Sequence, residues 1–243
     1  ANLQIPRRIG QNDNQVIVKV DSQLTQNNQV SVRYFFDHFT NDPTFNEGNL
    51  LSYRNPTLGS RQRIQNVVGS WQRTLTSTLL NEFRVGFNKF ASSRYPPTGV
   101  PSMQDLGVRL PIYPSAPSIS EIQANGFFNI GDNLFASFPR HGVEFNDRVN
   151  WAKGRHQIQF GGETAIQDVK IRNEFRRAGH FTFNGSVTGH ALADFLLGQI
   201  NTFDQGTGEY KDYAVFYGSA FFQDDIRVSD RLTLNAGVRF EHS

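Results

Sequence analysis

From Leu232 to Glu241 the chain alternates without interruption. Leu232, Leu234, Ala236, Val238 and Phe240 fall on one side, and Thr233, Asn235, Gly237, Arg239 and Glu241 on the other. Such a period of two marks a strand with one apolar and one polar face. The preceding run, Tyr213 to Val228, supplies its partner. With Ser229-Asp230-Arg231 as a three-residue loop, Val228 stands opposite Leu232, Ile226 opposite Leu234 and Phe222 opposite Val238, so the apolar faces coincide. A two-residue loop would put Arg227, Asp225 and Gln223 on the apolar face, and register therefore selects three. Asp224 is the misfit. It falls on the apolar side near the turn, where a membrane interface tolerates it better than a midplane does.

The same logic repeats three times upstream. Val16, Val18 and Val20 lead through a polar turn around Thr25-Gln26-Asn27-Asn28 into Val30, Val32, Tyr34 and Phe36. Val67, Gly69 and Trp71 lead through Thr76-Ser77-Thr78 into Phe83, Val85 and Phe87, and a three-residue loop sets Trp71 against Phe83 and Val67 against Phe87. Phe145, Val149 and Trp151 lead through Gly154-Arg155 into Ile158 and Phe160. There a two-residue turn with Gly first suits type II′ geometry and opposes Trp151 to Ile158. The pattern predicts eight strands in four hairpins, over about 14–24 and 29–40, 62–75 and 79–92, 142–152 and 156–173, 213–228 and 232–242.

The connections between hairpins are of another kind. Asn41 to Ser60 is polar; Ala91 to His141, about fifty residues, contains Pro96, Pro97, Pro101, Pro111, Pro114 and Pro117; Glu174 to Asp212 is nearly forty. Short turns at one end and long loops (about 41–60, 91–141 and 174–212) at the other are the signature of an outer-membrane barrel, with tight periplasmic turns and extended outer loops. A soluble sandwich would show turns at short intervals at both ends. The expected fold is therefore all-β: an antiparallel up-and-down transmembrane β-barrel with about eight strands present. Within the last long loop, His190 to Gly198 reads as a short helix, with Thr188 as its cap, Gly198 as its end and Leu192, Phe195 and Leu196 as its buried stripe.

Composition permits this reading and removes others. A hydrophobic content of 37% and a mean hydropathy of −0.47 exclude helical membrane spans, but not a barrel whose inner face is polar. Aromatics are 13%, with 22 Phe, more than a polar soluble chain needs. Cysteine is absent, so neither a disulfide framework nor a thiolate metal site can form. The 24 basic and 22 acidic residues are interspersed, so the pI of about 9.0 is weak evidence for nucleic acid. Ala1 to Gly10 has no apolar core of the signal-peptide kind, and the chain reads as a mature product or an excerpt.

Four stretches carry a family resemblance: Leu79 to Asn88, Trp151 to Glu163, Gly189 to Gly198 and Phe221 to Glu241. In order and spacing they resemble the barrel of a TonB-dependent outer-membrane receptor of the Oar-like kind, found with a carboxypeptidase-regulatory-like N-terminal domain. The resemblance runs from about residue 14 to the end. It implies a 22-strand barrel occluded by a plug and energised by TonB through an N-terminal box. Neither plug nor box is expected in this stretch, which reads as an internal section of such a barrel. A small closed barrel of eight strands with a filled interior is the open alternative.

Candidate functional residues follow from the two faces. The polar face carries Lys19, Asp21, Arg33, Asp37, Glu82, Arg84, Glu144, Arg148, Glu163, Asp225, Arg227, Arg239 and Glu241. As lumen-lining residues, with Arg33, Glu82, Arg84, Arg148, Glu163, Asp225, Arg227, Arg239 and Glu241 foremost, they either select solute or neutralise one another in a ladder. Trp71, Phe83, Phe87, Trp151, Phe160, Tyr217, Phe222 and Phe240 each fall in an alternating strand, which favours a lipid-facing or girdle role over base stacking. In the long outer loop, Tyr95, Tyr113, Phe127, Phe128 and Phe135 are placed to meet an incoming ligand or to pack the loop.

The histidines His38, His141, His156, His180, His190 and His242 are scattered without metal-binding spacing, so no metal or other cofactor is expected. Asn184-Gly185-Ser186 matches the glycosylation triplet, a match close to chance. No phosphate loop, nucleophile elbow or dinucleotide fingerprint occurs, and enzymatic activity has no support. The expectation is a Gram-negative outer-membrane receptor that takes up a bulky nutrient of the siderophore, oligosaccharide or peptide class. Its partners would be outer-membrane lipid, an unidentified ligand and the TonB complex through regions outside this chain, with no nucleic acid. An Oar-like adhesion or scaffolding role is the alternative.

Overall fold

The computed structural model describes residues 9–44, 58–95, 103–109, 119–131 and 135–243. Tyr113, Pro96, Pro97, Pro101, Pro111, Pro114 and Pro117 lie outside them. In chain order the elements are β1 (Gln11–Thr25), β2 (Asn28–Asn41), β3 (Gly59–Thr76), β4 (Leu79–Tyr95), three short strands β5 (Glu121–Ala124), β6 (Phe128–Ile130) and β7 (Ala136–Ser137), then the long β8 (Arg140–Lys153) and β9 (His156–Asn173). They are followed by β10 (His180–Phe183), α1 (Ala191–Leu196), β11 (Thr202–Asp204), β12 (Glu209–Ser229) and β13 (Leu232–His242).

The eight long strands pair antiparallel in chain order, β1-β2-β3-β4-β8-β9-β12-β13, and β7 extends the seam between β4 and β9. These are the four expected hairpins: β9 and β13 have the expected bounds, and the other six strands are longer, β12 beginning at Glu209 rather than 213. The sheet does not close on itself. Among the described residues β1 pairs only with β2 and β13 only with β12, which sets aside the small closed barrel.

The tight ends share one construction. Ser229 faces Leu232, and the register shifts between Arg227 and Ser229, so Val228 is a bulged residue and Asp230-Arg231 alone form the turn. Val228 therefore does not oppose Leu232, but the bulge restores the expected pairs Ile226–Leu234 and Phe222–Val238. The hairpins at Thr76–Leu79 and Thr25–Asn28 repeat the device, with Leu75 and Leu24 at the bulge. In all three, the hydroxyl before the turn accepts a backbone N–H two residues on, at 3.3 Å: Thr25 from Asn27, Thr76 from Thr78 and Ser229 from Arg231. The fourth hairpin pairs Lys153 with His156 directly, and Gly154 at φ 62° supplies the first position of a type II′ turn.

Register carries one apolar stripe across seven of the eight strands, β1 to β12. Val18 faces Tyr34, Tyr34 faces Val67, Val67 faces Phe87, and Phe87 faces Val143; the stripe continues through Ile166 and Phe216. These side chains meet neither helix nor second sheet: Val18 is 51% exposed, Ile166 51% and Val238 70%. None of the buried hydrophobic residues lies in the eight long strands. An apolar face left open while the interior is built elsewhere is the arrangement that a lipid covering suits.

The interior that does exist comes from the long connections. β5, β6, β10 and β11 form a second sheet, ordered β11-β10-β5-β6, in which β5 and β10 run parallel. The alternation of the hairpins gave no sign of it, because its strands have three or four residues and pair across loops. Its core is Met103, Ile119, Ala178, Phe181 and Phe183, backed by Val108, Ile122 and Phe195. The rings of Phe128 and Phe195 meet edge to face at 5.0 Å, as do those of Phe183 and Phe195 at 5.3 Å.

The expected helix is present as α1, with Gly198 at φ 68° closing it. Two details differ from expectation. The residue before it is His190 without a side-chain cap, and Leu196 is 74% exposed. The inward position goes to Asp194, which is fully buried. Its carboxylate reaches back to accept the Thr188 hydroxyl at 2.6 Å, the Thr188 N–H at 2.9 Å and the Val187 N–H at 3.3 Å. Those donors, the Thr188 hydroxyl foremost, hold Asp194 below the usual aspartate value of 3.8.

Candidate functional site

Two surfaces can serve function: the polar face of the large sheet and the loop layer beyond its outer end. All nine foremost lumen candidates share the face opposite the apolar stripe. They do not form one cluster. Arg33 stands beside Lys19, which is tied to Asp21 at 3.0 Å, while Asp225 and Arg227 sit near the turn, with Arg227 held by Asp230 at 3.0 Å.

The rest form a path over the last five strands. Glu82 accepts Arg84 Nε at 2.6 Å and lies opposite Arg148 in the register. Arg148 faces Gly161, and its guanidinium extends to 6.0 Å from the Phe221 ring. Phe221 pairs with Arg239, which donates to Tyr217 Oη at 2.9 Å and Ser219 Oγ at 3.2 Å, contacts Glu241, and approaches Glu163 at 3.6 Å. Tyr217 thus belongs to this polar face rather than to the lipid side. Most of these charges are neutralised by a neighbour two residues along the same strand, a ladder of alternating hydrogen-bonding groups along the polar face.

Gly161 makes the path possible. A Cβ there would stand 2.2 Å from the Asp147 carbonyl oxygen and 3.0 Å from the Phe221 ring. Gly161→Val should therefore force β8 from β9 and cost about 1–3 kcal/mol, read as a lower urea midpoint of the folded barrel. Gly86→Ala, whose Cβ would find its nearest atom at 3.8 Å, should leave the midpoint unchanged.

The expected girdle residues Trp71, Phe83, Phe87, Trp151, Phe160, Phe222 and Phe240 all lie on the apolar face. Near the turns, Arg73 stands over Trp71 at 5.9 Å and Lys153 over Trp151 at 4.7 Å, aromatic–cation pairs suited to a membrane–water boundary. Asp224, the misfit of the sequence, is met by His156 Nδ1 at 2.7 Å. A second intrusion, Asp147, accepts Asn81 Nδ2 at 2.6 Å.

The loop aromatics separate. Tyr95 Oη donates to the Asn41 carbonyl at 3.3 Å, and its ring occupies the space a Cβ on Gly59 would need, so it pins the loop base. Phe128 packs in the loop layer, whereas Phe127 and Phe135 are 50% and 40% exposed. Sequence reasoning missed the row Glu121–His180–Asp204 across three strands of the loop sheet, where His180 Nδ1 meets Asp204 at 3.1 Å. No group of three or more His, Cys, Asp or Glu able to hold a metal occurs among the described residues.

With sheet order, open apolar face and polar lining established, comparison with known families settles the kind of barrel. Residues 1–243 match the family described as outer membrane beta barrel domain. The chain belongs to that family. Among solved structures, this outer-membrane barrel domain is similar to the outer membrane transporter YddB from Escherichia coli, with a TM-score of 0.58 and 12% identity. The match covers 96% of this chain and 27% of that one. At such identity the likeness speaks for the fold alone, and the domain spans about a quarter of the transporter's length. None of the curated proteins matches the sequence. Family and fold together place the domain in the outer membrane.

Proposed function

We propose that this outer-membrane barrel domain is part of a TonB-dependent receptor of the Oar-like kind, importing a bulky nutrient into a Gram-negative cell. The observation that carries the reading is the combination of unpaired edges on β1 and β13 with a charged inner face. Unpaired edges cannot persist in hydrocarbon, where every backbone group needs a partner, so further strands complete the wall. A wall widened to the sixteen or more strands of large barrels encloses a lumen that side chains do not fill, which suits a plugged import channel. The similarity to part of a transporter barrel supports it.

The test is made on the full-length protein that carries this domain. Purified in detergent, it should bind the periplasmic domain of TonB. Cells depending on it for a siderophore, an oligosaccharide or a peptide should lose that uptake when TonB is deleted. Uptake that continues without TonB, or an attachment defect with uptake intact, would overturn the proposal.

A further inference from the structure

The outward face carries a second feature above its apolar stripe. Arg61 and Arg63 on β3, Lys89 on β4, His141 on β8, and Lys170 and Arg172 on β9 all share the face of Val67, Phe87, Val143 and Ile166. They lie toward the loop end of the strands. Lys89 stands ten residues beyond Leu79, and Lys170 fourteen beyond His156. At about 3.4 Å per residue and about 40° of tilt, that is roughly 25–35 Å from the turns, the level at which an apolar band of about 25 Å ends.

The local acids are already engaged: Asp168 meets His141 at 3.1 Å, and Asp212, directly across from Lys170, is held by Arg172 at 2.7 Å. Among the described residues, Arg63, Lys89 and Lys170 have no carboxylate in ion-pair contact, and all three are exposed. Arg63 and Lys89 are diagonal neighbours, about 7–8 Å apart, and repel each other unless an anion lies between them.

We infer that this cluster is a binding site for the phosphate groups of an outer-leaflet lipid. Charge selects an anion. The position selects a lipid, because the exposed side chains of Val67, Phe87 and Ile166 directly below offer a surface for acyl chains, with 38%, 41% and 51% of each open. The inference rests on the outer-membrane placement and is independent of the uptake reading.

Native mass spectrometry of the full-length protein decides it, with lipid A bearing both phosphates, lipid A stripped of them, and inorganic phosphate as probes. The phosphorylated lipid should bind, and the combined variant Arg63→Gln, Lys89→Gln, Lys170→Gln should weaken it at least about tenfold. Lys89→Gln alone should give a smaller loss in the same direction, and heat-modifiable gel mobility confirms that each variant is folded. Removing two cations from the same face at the turn end, Arg73→Gln with Lys153→Gln, should leave lipid A binding unchanged. Equal binding by the combined variant, equal loss in the turn-end variant, equal binding of the stripped lipid, or full displacement by millimolar inorganic phosphate would each overturn the site.

Discussion

Arginine placed at Phe145 should cost the folded barrel about 2–4 kcal/mol, while arginine at the next residue, Asn146, should change stability by less than about 0.5 kcal/mol. Phe145 lies near the middle of β8, between Val85 and Thr164 on the apolar face, and is 42% exposed in the chain alone. Only a hydrocarbon covering makes a charge there expensive. Asn146 lies opposite Arg84 and Glu163 on the inner face, where water and the carboxylate solvate a guanidinium. Reversible unfolding of the full-length protein in lipid bilayers measures both. Equal costs at the two positions would mean that lipid does not distinguish the faces, and the membrane assignment of the sheet would fail.

Phe183→Ala should open the loop layer and leave the wall intact. Phe183 is 5% exposed and packs with Phe195 in a core of only five buried residues. Deleting a buried phenyl costs about 3–5 kcal/mol, more than so small a cluster retains once the ordering of its connections is paid for. Hydrogen exchange on the full-length protein should show lost protection at β5, β10 and β11, with β8 and β9 unchanged. Protection lost equally in both sheets would show that the layer and the wall fold as one unit; protection kept everywhere would show that the aromatic cluster does not hold the layer. Ligand capture by Phe127 or Phe135, if they serve it, should fall with the layer that positions them.

How much could be read in advance differs between the wall and the layer. Trp71 opposite Phe83, Trp151 opposite Ile158 and Phe222 opposite Val238 were all legible, because a short turn fixes register and period-two alternation fixes the face. Val228 was assigned to a pair it does not make, since a bulge and a longer loop yield the same register farther up the strand. Leu196 was expected inside α1 because apolar residues generally turn inward, but the Asp194 carboxylate takes the inward position to accept from Val187 and Thr188, a contact that helix periodicity does not encode. Of the proposed lumen residues, the common face was visible in parity, whereas the junction of Arg148, Phe221 and Arg239 over Gly161 needed the pairing of β9 with β12, which joins two hairpins across a long loop.

By itself the amino-acid sequence determined the hairpins, their two faces and the asymmetry between tight and long connections, since each depends on residues only a few positions apart. The tertiary structure alone decided that β5 runs parallel to β10, that the wall stays open at β1 and β13, and that Arg63, Lys89 and Lys170 stand together on one outward rim. Except for the Arg63–Lys89 pair, which one hairpin sets, those features depend on segments separated by long loops, where no turn transmits register and alternation says which way a side chain points but not which strand lies beside it.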